Sequence, residues 1–404
     1  MKVLKKILLV LLVLLVLAQV PFVYRRYQIG KVAAKIAETD ANRQPAQDPR
    51  YNEYKGIIHA HTNLGGHSTG SFDELIAAAN ANDLDFVLLT EHYSDVFDTA
   101  AQTLNGVHGK TLFVGGNEID TTDGDRFLLI PGGGEAVKAR MSGTTAFLDA
   151  AHRENKLALV TYPERLKSWD AQFDGIEVFS LHTAAKAMNP LTALGDLIWT
   201  YPGYPELMLA QGWTRPDANL AKFDEIAAQR NISLFAGTDA HSNIGFHLFG
   251  DDAANKPLGI KLDPYETMFR MARMHVLIEK DKPMDRESLI EAIRAGNFFI
   301  GFDAIGDTTG FSFVAVGAGI AHPTHTMGQE IVEPVSALKS PPWQPGLRFV
   351  AYKNGAAILD TIVVDEFSFQ PQGPGTYRIE VYRNDLGPPL DKMPWIISNP
   401  IYLR

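Results

Sequence analysis

The sequence predicts an α/β fold over residues 54–301 and a small β-sandwich over residues 302–404. Three observations carry this. Within residues 56–92, the apolar pair Ile57-Ile58 leads into His59-Ala60-His61, and the run at 85–89 leads into Glu91-His92. Between them, Phe72, Leu75, Ile76 and Ala79 recur at helical spacing, so the stretch reads strand, helix, strand. Beyond Phe302 the alternation stops, and short segments between turn residues take over, with Lys353-Asn354-Gly355 as a tight turn between two of them.

In chain order, strands are predicted at 111–119, 126–131, 157–162, 175–180 and 233–238. Each of these except 126–131 runs into polar residues: Glu118, Tyr162-Pro163-Glu164-Arg165, His182 and Asp239-Ala240-His241. Helices are predicted at 144–155, 219–230, 265–276 and 286–295, and residues 191–216 read as an inserted helical cap. The later strands are placed at 311–316, 347–352, 358–364 and 376–382.

Residues 1–27 read as a membrane anchor or signal segment: Lys2, Lys5 and Lys6 precede an apolar run at 7–24, and Arg25-Arg26 follow. A cleaved signal ending near Val16-Leu17-Ala18 is the competing reading. The apolar core is long for a signal, so the anchor is preferred, with the folded body exported to the non-cytoplasmic side. Residues 28–53, polar and Ala-rich with Pro45 and Pro49, read as a linker. A net charge of −10 argues against a nucleic-acid partner. With no cysteine, a metal site has to use His, Asp and Glu.

Paired imidazoles beside carboxylates at strand ends are a metal-ligand arrangement. The groups His59-Ala60-His61-Thr62, His67 and Thr90-Glu91-His92 resemble the polymerase-and-histidinol-phosphatase (PHP) superfamily of metal-dependent hydrolases. Residues 375–381 and 395–402 resemble the segment after the catalytic domain in its membrane-associated, carbaryl-hydrolase-type branch. The resemblance implies a distorted (β/α) TIM-like barrel of PHP type over residues 54–301, with two or three divalent ions (Zn, Mn or Fe) at its mouth. Carried over residue by residue, it implies His59, His61, Glu118 and Asp239 at one ion and His67, His92 and His241 at another. Glu118 would bridge to a third, for which His182 stands about where a ligand is expected. Catalysis is assigned to His59, His61, Glu118, Asp239 and His241.

Two positions depart from the family pattern. Glu91 replaces the usual Asp and is read as bracing a ligating imidazole from behind. Tyr162 stands where the family has a ligand His in His-Pro-Glu-Arg. A phenol is normally protonated near pH 7, so the third site is expected to be vacant or weakly filled. The following Arg165 is a candidate contact for an anionic substrate.

The function implied is ester hydrolysis by metal-activated water on a small-molecule substrate. A phosphoester is favoured, with a carbamate or carboxyl ester as the alternative on the same site. The rival from another class is a non-catalytic metal or ligand sensor at the membrane. Metal content and turnover of generic esters separate the two.

Overall fold

The computed structural model describes residues 2–43, 45–46, 48–66, 68–186, 188–243, 245–247, 259–319, 324–340 and 346–404. A single helix, α1 (Lys2–Asn42), occupies the N-terminus. At ~1.5 Å per residue it is about 60 Å long. It is long and apolar enough to cross a membrane, a test that a signal sequence also passes. Its first part is exposed, whereas the later part packs on the body through Ile29, the pair Arg25–Asp196 (2.7 Å) and the bond from Trp199 Nε1 to Gln19 Oε1 (2.9 Å).

The strands are β1 (Tyr51–Ala60), β2 (Phe86–His92), β3 (Gly106–His108), β4 (Thr111–Asp120), β5 (Arg126–Ile130), β6 (Leu157–Val160), β7 (Gly175–Ser180), β8 (Ser233–Gly237), β9 (Gly245–His247), β10 (Gly259–Lys261) and β11 (Arg273–Glu279). They continue with β12 (Phe298–Gly301), β13 (Val314–Gly317), β14 (Thr324–Thr326), β15 (Glu330–Ile331), β16 (Val335–Ser340), β17 (Leu347–Lys353), β18 (Ala356–Val363), β19 (Phe367–Phe369), β20 (Gly375–Tyr382), β21 (Pro394–Ser398) and β22 (Ile401–Leu403). Helix α2 (Phe72–Ala81) joins β1 to β2, and Ser71 and Glu74 form a capping box at its start.

The expected barrel and separate sandwich are both corrected here. The ladder is one open mixed sheet of 16 strands, ordered β15-β22-β20-β21-β12-β11-β1-β2-β4-β5-β6-β7-β8 along its main path. The pairs β1–β2, β2–β4, β6–β7 and β7–β8 are parallel, but β4–β5, β5–β6 and β1–β11 are antiparallel. The short link between β4 and β5 explains part of this. The Thr121–Asp125 backbone bond (2.9 Å) closes a hairpin, and a hairpin can only return antiparallel. Residues 265–276, expected as one helix, are a short helix Tyr265–Met268 followed by β11, which pairs with β1.

The last strands do not form a sandwich of their own. Strands β20, β21 and β22 extend the main sheet through β12. Arg378 ties β20 to the helix Asp217–Ala227 through two 2.7 Å bonds to Asp224. A second sheet, β14-β13-β16-β19, has four strands.

Adjacent residues of the central strands alternate between two cores. Ile57, Val87, Leu89, Phe113 and Leu129 face one, and Ile58, Phe86, Leu88, Val114 and Leu128 face the other with the helix Arg286–Ala295. Burial on both faces is why these strands read as unbroken apolar runs. The free edge of β8 is covered by the Asn399 side chain, which bonds Leu234 N (2.8 Å) and Leu234 O (3.1 Å). Just past β8, Thr238 N donates to Ile58 O (3.1 Å), and Ala60 and Ala240 form an isolated parallel bridge.

Candidate metal centre

Strand β1 does not run straight into its histidines. Its register with β2 shifts between Ile58 and Ala60, and His59 has φ 69°. This is a bulge, so the period-2 argument that put His59 and His61 on one face does not apply as stated. The bulge and the β8 extension bring them together instead. His61 N donates to Ala240 O (3.0 Å), Thr238 Oγ1 donates to His59 O (2.7 Å), and the two imidazoles lie 5.2 Å apart. The same lock places Asp239, itself at φ 46°, between them.

Six of the expected residues converge. His59 Nε2 lies 3.4 Å from Asp239 Oδ1 and 3.6 Å from Glu118 Oε1. His61 Nε2 lies 3.4 Å from Asp239 Oδ1 and 3.7 Å from Glu118 Oε2. His92 Nδ1 is 3.0 Å from Glu118 Oε2, and His241 Nδ1 is 3.4 Å from Asp239 Oδ1. The His61 ring is stacked between those of His92 (4.4 Å) and His241 (4.3 Å). Two groups thus have ligand atoms close enough to share an ion: His59, His61 and Glu118; and His61, His92 and His241. His67, also expected at the second ion, lies outside the described residues. His182 sits on the helix Leu181–Lys186 with its ring 6.1 Å from that of His241 and belongs to neither group.

The protein leaves several polar atoms of this donor set unused. His59 Nε2, His61 Nδ1 and Nε2, Glu118 Oε1 and Asp239 Oδ1 are all buried without a hydrogen-bond partner. Buried polar atoms normally find partners, and each orphan costs ~1–3 kcal/mol. Clustered orphans of ligand type, with one nitrogen of His61 facing Asp239 and Glu118, fit a cation. These buried groups are able to hold a metal ion.

The electrostatics agree. Burial holds His61 neutral, with its pKa lowered to about 3, so one ring nitrogen keeps an available lone pair. Burial also lowers His241. For Glu118, burial opposes ionisation, but the His59 and His92 imidazoles beside it override that and hold the carboxyl well below its ordinary range; Asp239 is held down likewise by His59 and His61. His59 behaves differently: burial pushes it down, but Glu177 and Asp239 draw a proton onto it and raise it well above 6.5.

Glu177, on β7, was not singled out from the sequence. Its Oε1 lies 2.9 Å from His59 Nδ1, and it is 1% exposed. A carboxylate behind an imidazole fixes the Nδ1–H tautomer and turns Nε2 toward the cluster. The available signal was one acid inside the apolar run Gly175–Ser180, since an unpaired buried carboxylate is rarely tolerated.

Among the described residues, Glu91 is bonded to threonines and not to an imidazole. It accepts from Thr62 Oγ1 (2.5 Å), Thr103 Oγ1 (2.8 Å) and Thr62 N (3.1 Å), so it fixes the turn after His61. Tyr162 also sits in the left-handed region (φ 50°), and its hydroxyl donates to Asp239 Oδ2 (2.6 Å). Burial, then the Asp239 charge, raise the phenol well above its usual pKa of 10. Arg165 lies 5.4 Å from the Tyr162 ring and does not line the mouth of the cluster.

The mouth is an open cleft of about 540 Å³. Two arginines reach it that the sequence did not mark. Arg126 is gripped by Asp120 (2.6 and 2.9 Å) with Nη1 3.5 Å from Glu118 Oε1, and Arg140 lies 4.1 Å over the Tyr93 ring.

No family model and no curated protein matches the chain. Among solved structures, the crystal structure of PsfC from Pseudomonas syringae is similar over 60% of this chain and 89% of that one, at 14% identity and a TM-score of 0.37. At that distance the likeness assigns neither a fold family nor a function.

Proposed function

We propose that this chain is a metal-dependent hydrolase of PHP type that cleaves a phosphoester, with two divalent ions, Zn, Mn or Fe, as its cofactor. The observation that carries the reading is the clustering of four buried side chains, His59, His61, Glu118 and Asp239, whose ligand atoms have no hydrogen-bond partner. The sequence resemblance at the same residues supports it. Arg126 and Arg140 at the cleft favour an anionic phosphoester over a neutral carbamate or carboxyl ester.

His59, His61, Glu118 and Asp239 would hold one ion, and His92 and His241 would contribute to a second. Ions bound there supply Lewis acidity toward the ester oxygen and lower the pKa of a water to about 7. The protein supplies the rest. Glu177 keeps His59 Nδ1 protonated and its ring fixed. Arg126 and Arg140 balance the charge of the ester oxygens. Tyr162 keeps its proton and, through Asp239 Oδ2, orients that carboxylate. In the reaction, water oxygen joins phosphorus, the P–O bond to the alcohol breaks, and a water proton leaves with the alcohol. We read α1 as an uncleaved anchor with the folded body on the non-cytoplasmic side.

The test is elemental analysis of the purified chain, followed by turnover of p-nitrophenyl phosphate and p-nitrophenyl acetate with Zn, Mn or Fe added. Bound metal and faster phosphate release are expected. A protein that takes up no ion and turns over neither ester overturns the reading.

A further inference from the structure

Beside the polar cleft lies a second cavity of about 270 Å³. The two share His182 and Asp239 as lining residues, so they meet at the metal centre. Their chemistries are opposite. Among the described residues, all that line the second cavity except His182, Asp239 and Asp263 are apolar, including Met188, Leu197, Met208, Trp213, Met268 and Met271. Unbranched, polarizable methionines adapt to flexible chains, and aliphatic walls suit a hydrocarbon.

The position of this cavity points to where such a chain comes from. Ala193 and Leu197 of the helix Pro190–Trp199 form one wall. Leu194 and Ile198 of the same helix are 58% and 61% exposed, and they are four residues apart, on one face. That helix is also the one that docks on α1. Asp196 binds Arg25, Trp199 O accepts from Arg26, Trp199 Nε1 reaches Gln19, and a Cβ on Gly195 would overlap the Phe22 ring. Gln19–Arg26 is the end of the apolar part of α1. The cavity wall therefore sits where α1 would leave a bilayer, with two apolar side chains turned outward there.

We infer that the substrate is a membrane-derived amphiphile: an anionic phosphoester head at the metal centre and a single aliphatic tail in the methionine-lined cavity, entering past the helix Pro190–Trp199. This rests on the proposed function and names its substrate class. Hydrolysis would release the tail as an alcohol and the head as phosphate.

The experiment uses the full-length, metal-loaded chain in detergent. Titration calorimetry with butyl-, hexyl- and octylphosphonate, which cannot be hydrolysed, reads the tail pocket without turnover. Affinity should rise about fourfold per methylene until the cavity is full, which is ~0.8 kcal/mol each. Ala193→Trp, which fills the cavity from its half-buried wall, should flatten this series at unchanged metal content. Leu197→Asp should do the same by charging the wall. In vesicles, dodecyl phosphate in the same bilayer as the protein should be cleaved faster than in separate vesicles, and Leu194→Ser/Ile198→Ser should remove that preference. Flat affinity across the series, or a series untouched by both wall variants, overturns the tail pocket even if short esters are cleaved. Equal rates in the two vesicle arrangements overturn the membrane source. Chain-length-dependent binding with no ester cleaved would instead overturn the hydrolase reading alone.

Discussion

Strand β1 touches two buried clusters of histidine and carboxylate, and they differ in one respect. At its far end stand His59, His61, Glu118 and Asp239, with ligand atoms left unpartnered. Near its start, Glu53 meets His275, Asp303 and Thr308. There the protein satisfies itself. His275 Nδ1 is 2.6 Å from Glu53 Oε1, and its Nε2 is 2.8 Å from Thr308 Oγ1. Asp303 accepts from Thr308 Oγ1 (2.6 Å), Thr308 N (3.1 Å) and Arg273 (3.2 Å), while Glu53 Oε2 accepts from Gly310 N (2.7 Å). Residue types alone do not separate a structural cluster from a metal-type one. The unused lone pairs do, and the two clusters should respond oppositely to mutation and pH.

The largest expected effect is at the unsatisfied cluster. Asp239→Asn should reduce metal affinity and turnover by more than the ~10–100-fold that loss of an outer partner causes. The fold should stay intact by circular dichroism, since the cores lie elsewhere. Retained metal and rate would erase the distinction between the clusters.

Next comes the satisfied cluster, where the effect should be on stability instead. His275→Gln removes the charged imidazole from between buried Asp303 and half-buried Glu53 and should cost roughly 3–5 kcal/mol by urea unfolding, with metal content unchanged. This part depends on pH. Burial pulls His275 down, but Asp303 and Glu53 overcome it and raise its pKa to about 9 from 6.5. A raised folded pKa stabilises fully below pH 6.5, and that contribution is lost as pH rises through about 9. The rise is worth roughly 3 kcal/mol. The gap in unfolding free energy between wild type and variant should therefore be widest near pH 6 and shrink by pH 10. A gap that grows with pH would contradict a charged imidazole.

Glu177→Gln should weaken metal binding by ~10–100-fold while leaving stoichiometry at saturating metal unchanged, measured by competition with a chelator. The smallest effect is expected at Tyr162. Tyr162→Phe removes one hydrogen bond to a charged acceptor and should slow turnover about tenfold or less. Metal content should stay near about two per chain, and Tyr162→His should raise it. Loss of an ion in the Phe variant would make the phenol a ligand.

What was legible in the sequence divides along the same line. His59, His61, His92, Glu118, Asp239 and His241 lie at or just beyond strand ends, and strand ends can be read from local apolar runs, so their convergence could be anticipated. The path of the sheet could not. Whether β5 runs parallel or antiparallel depends on the turn at Thr121–Asp125, and the start of β11 reads as helix because Tyr265, Met268, Phe269 and Ala272 recur at helical spacing just before it. The C-terminal strands were assigned to a separate layer because pairing partners far apart in sequence, such as β12 with β21, leave no local signature. Glu177, Arg126 and Arg140 escaped notice for a related reason. Each is one polar residue whose role exists only once a distant strand or loop is placed opposite it.

The left-handed backbone at His59, Tyr162 and Asp239 bears on how substitutions there are to be read. Glycine adopts that conformation without strain, while Asn, Asp and His tolerate it better than most side chains. An alanine scan would therefore mix two losses at these positions, the functional group and a backbone preference. Asparagine is the cleaner reference, since it keeps the conformation while changing the chemistry. At these three points the chain forgoes the residue easiest on its backbone, so variation among natural relatives should run toward other polar side chains and seldom toward glycine.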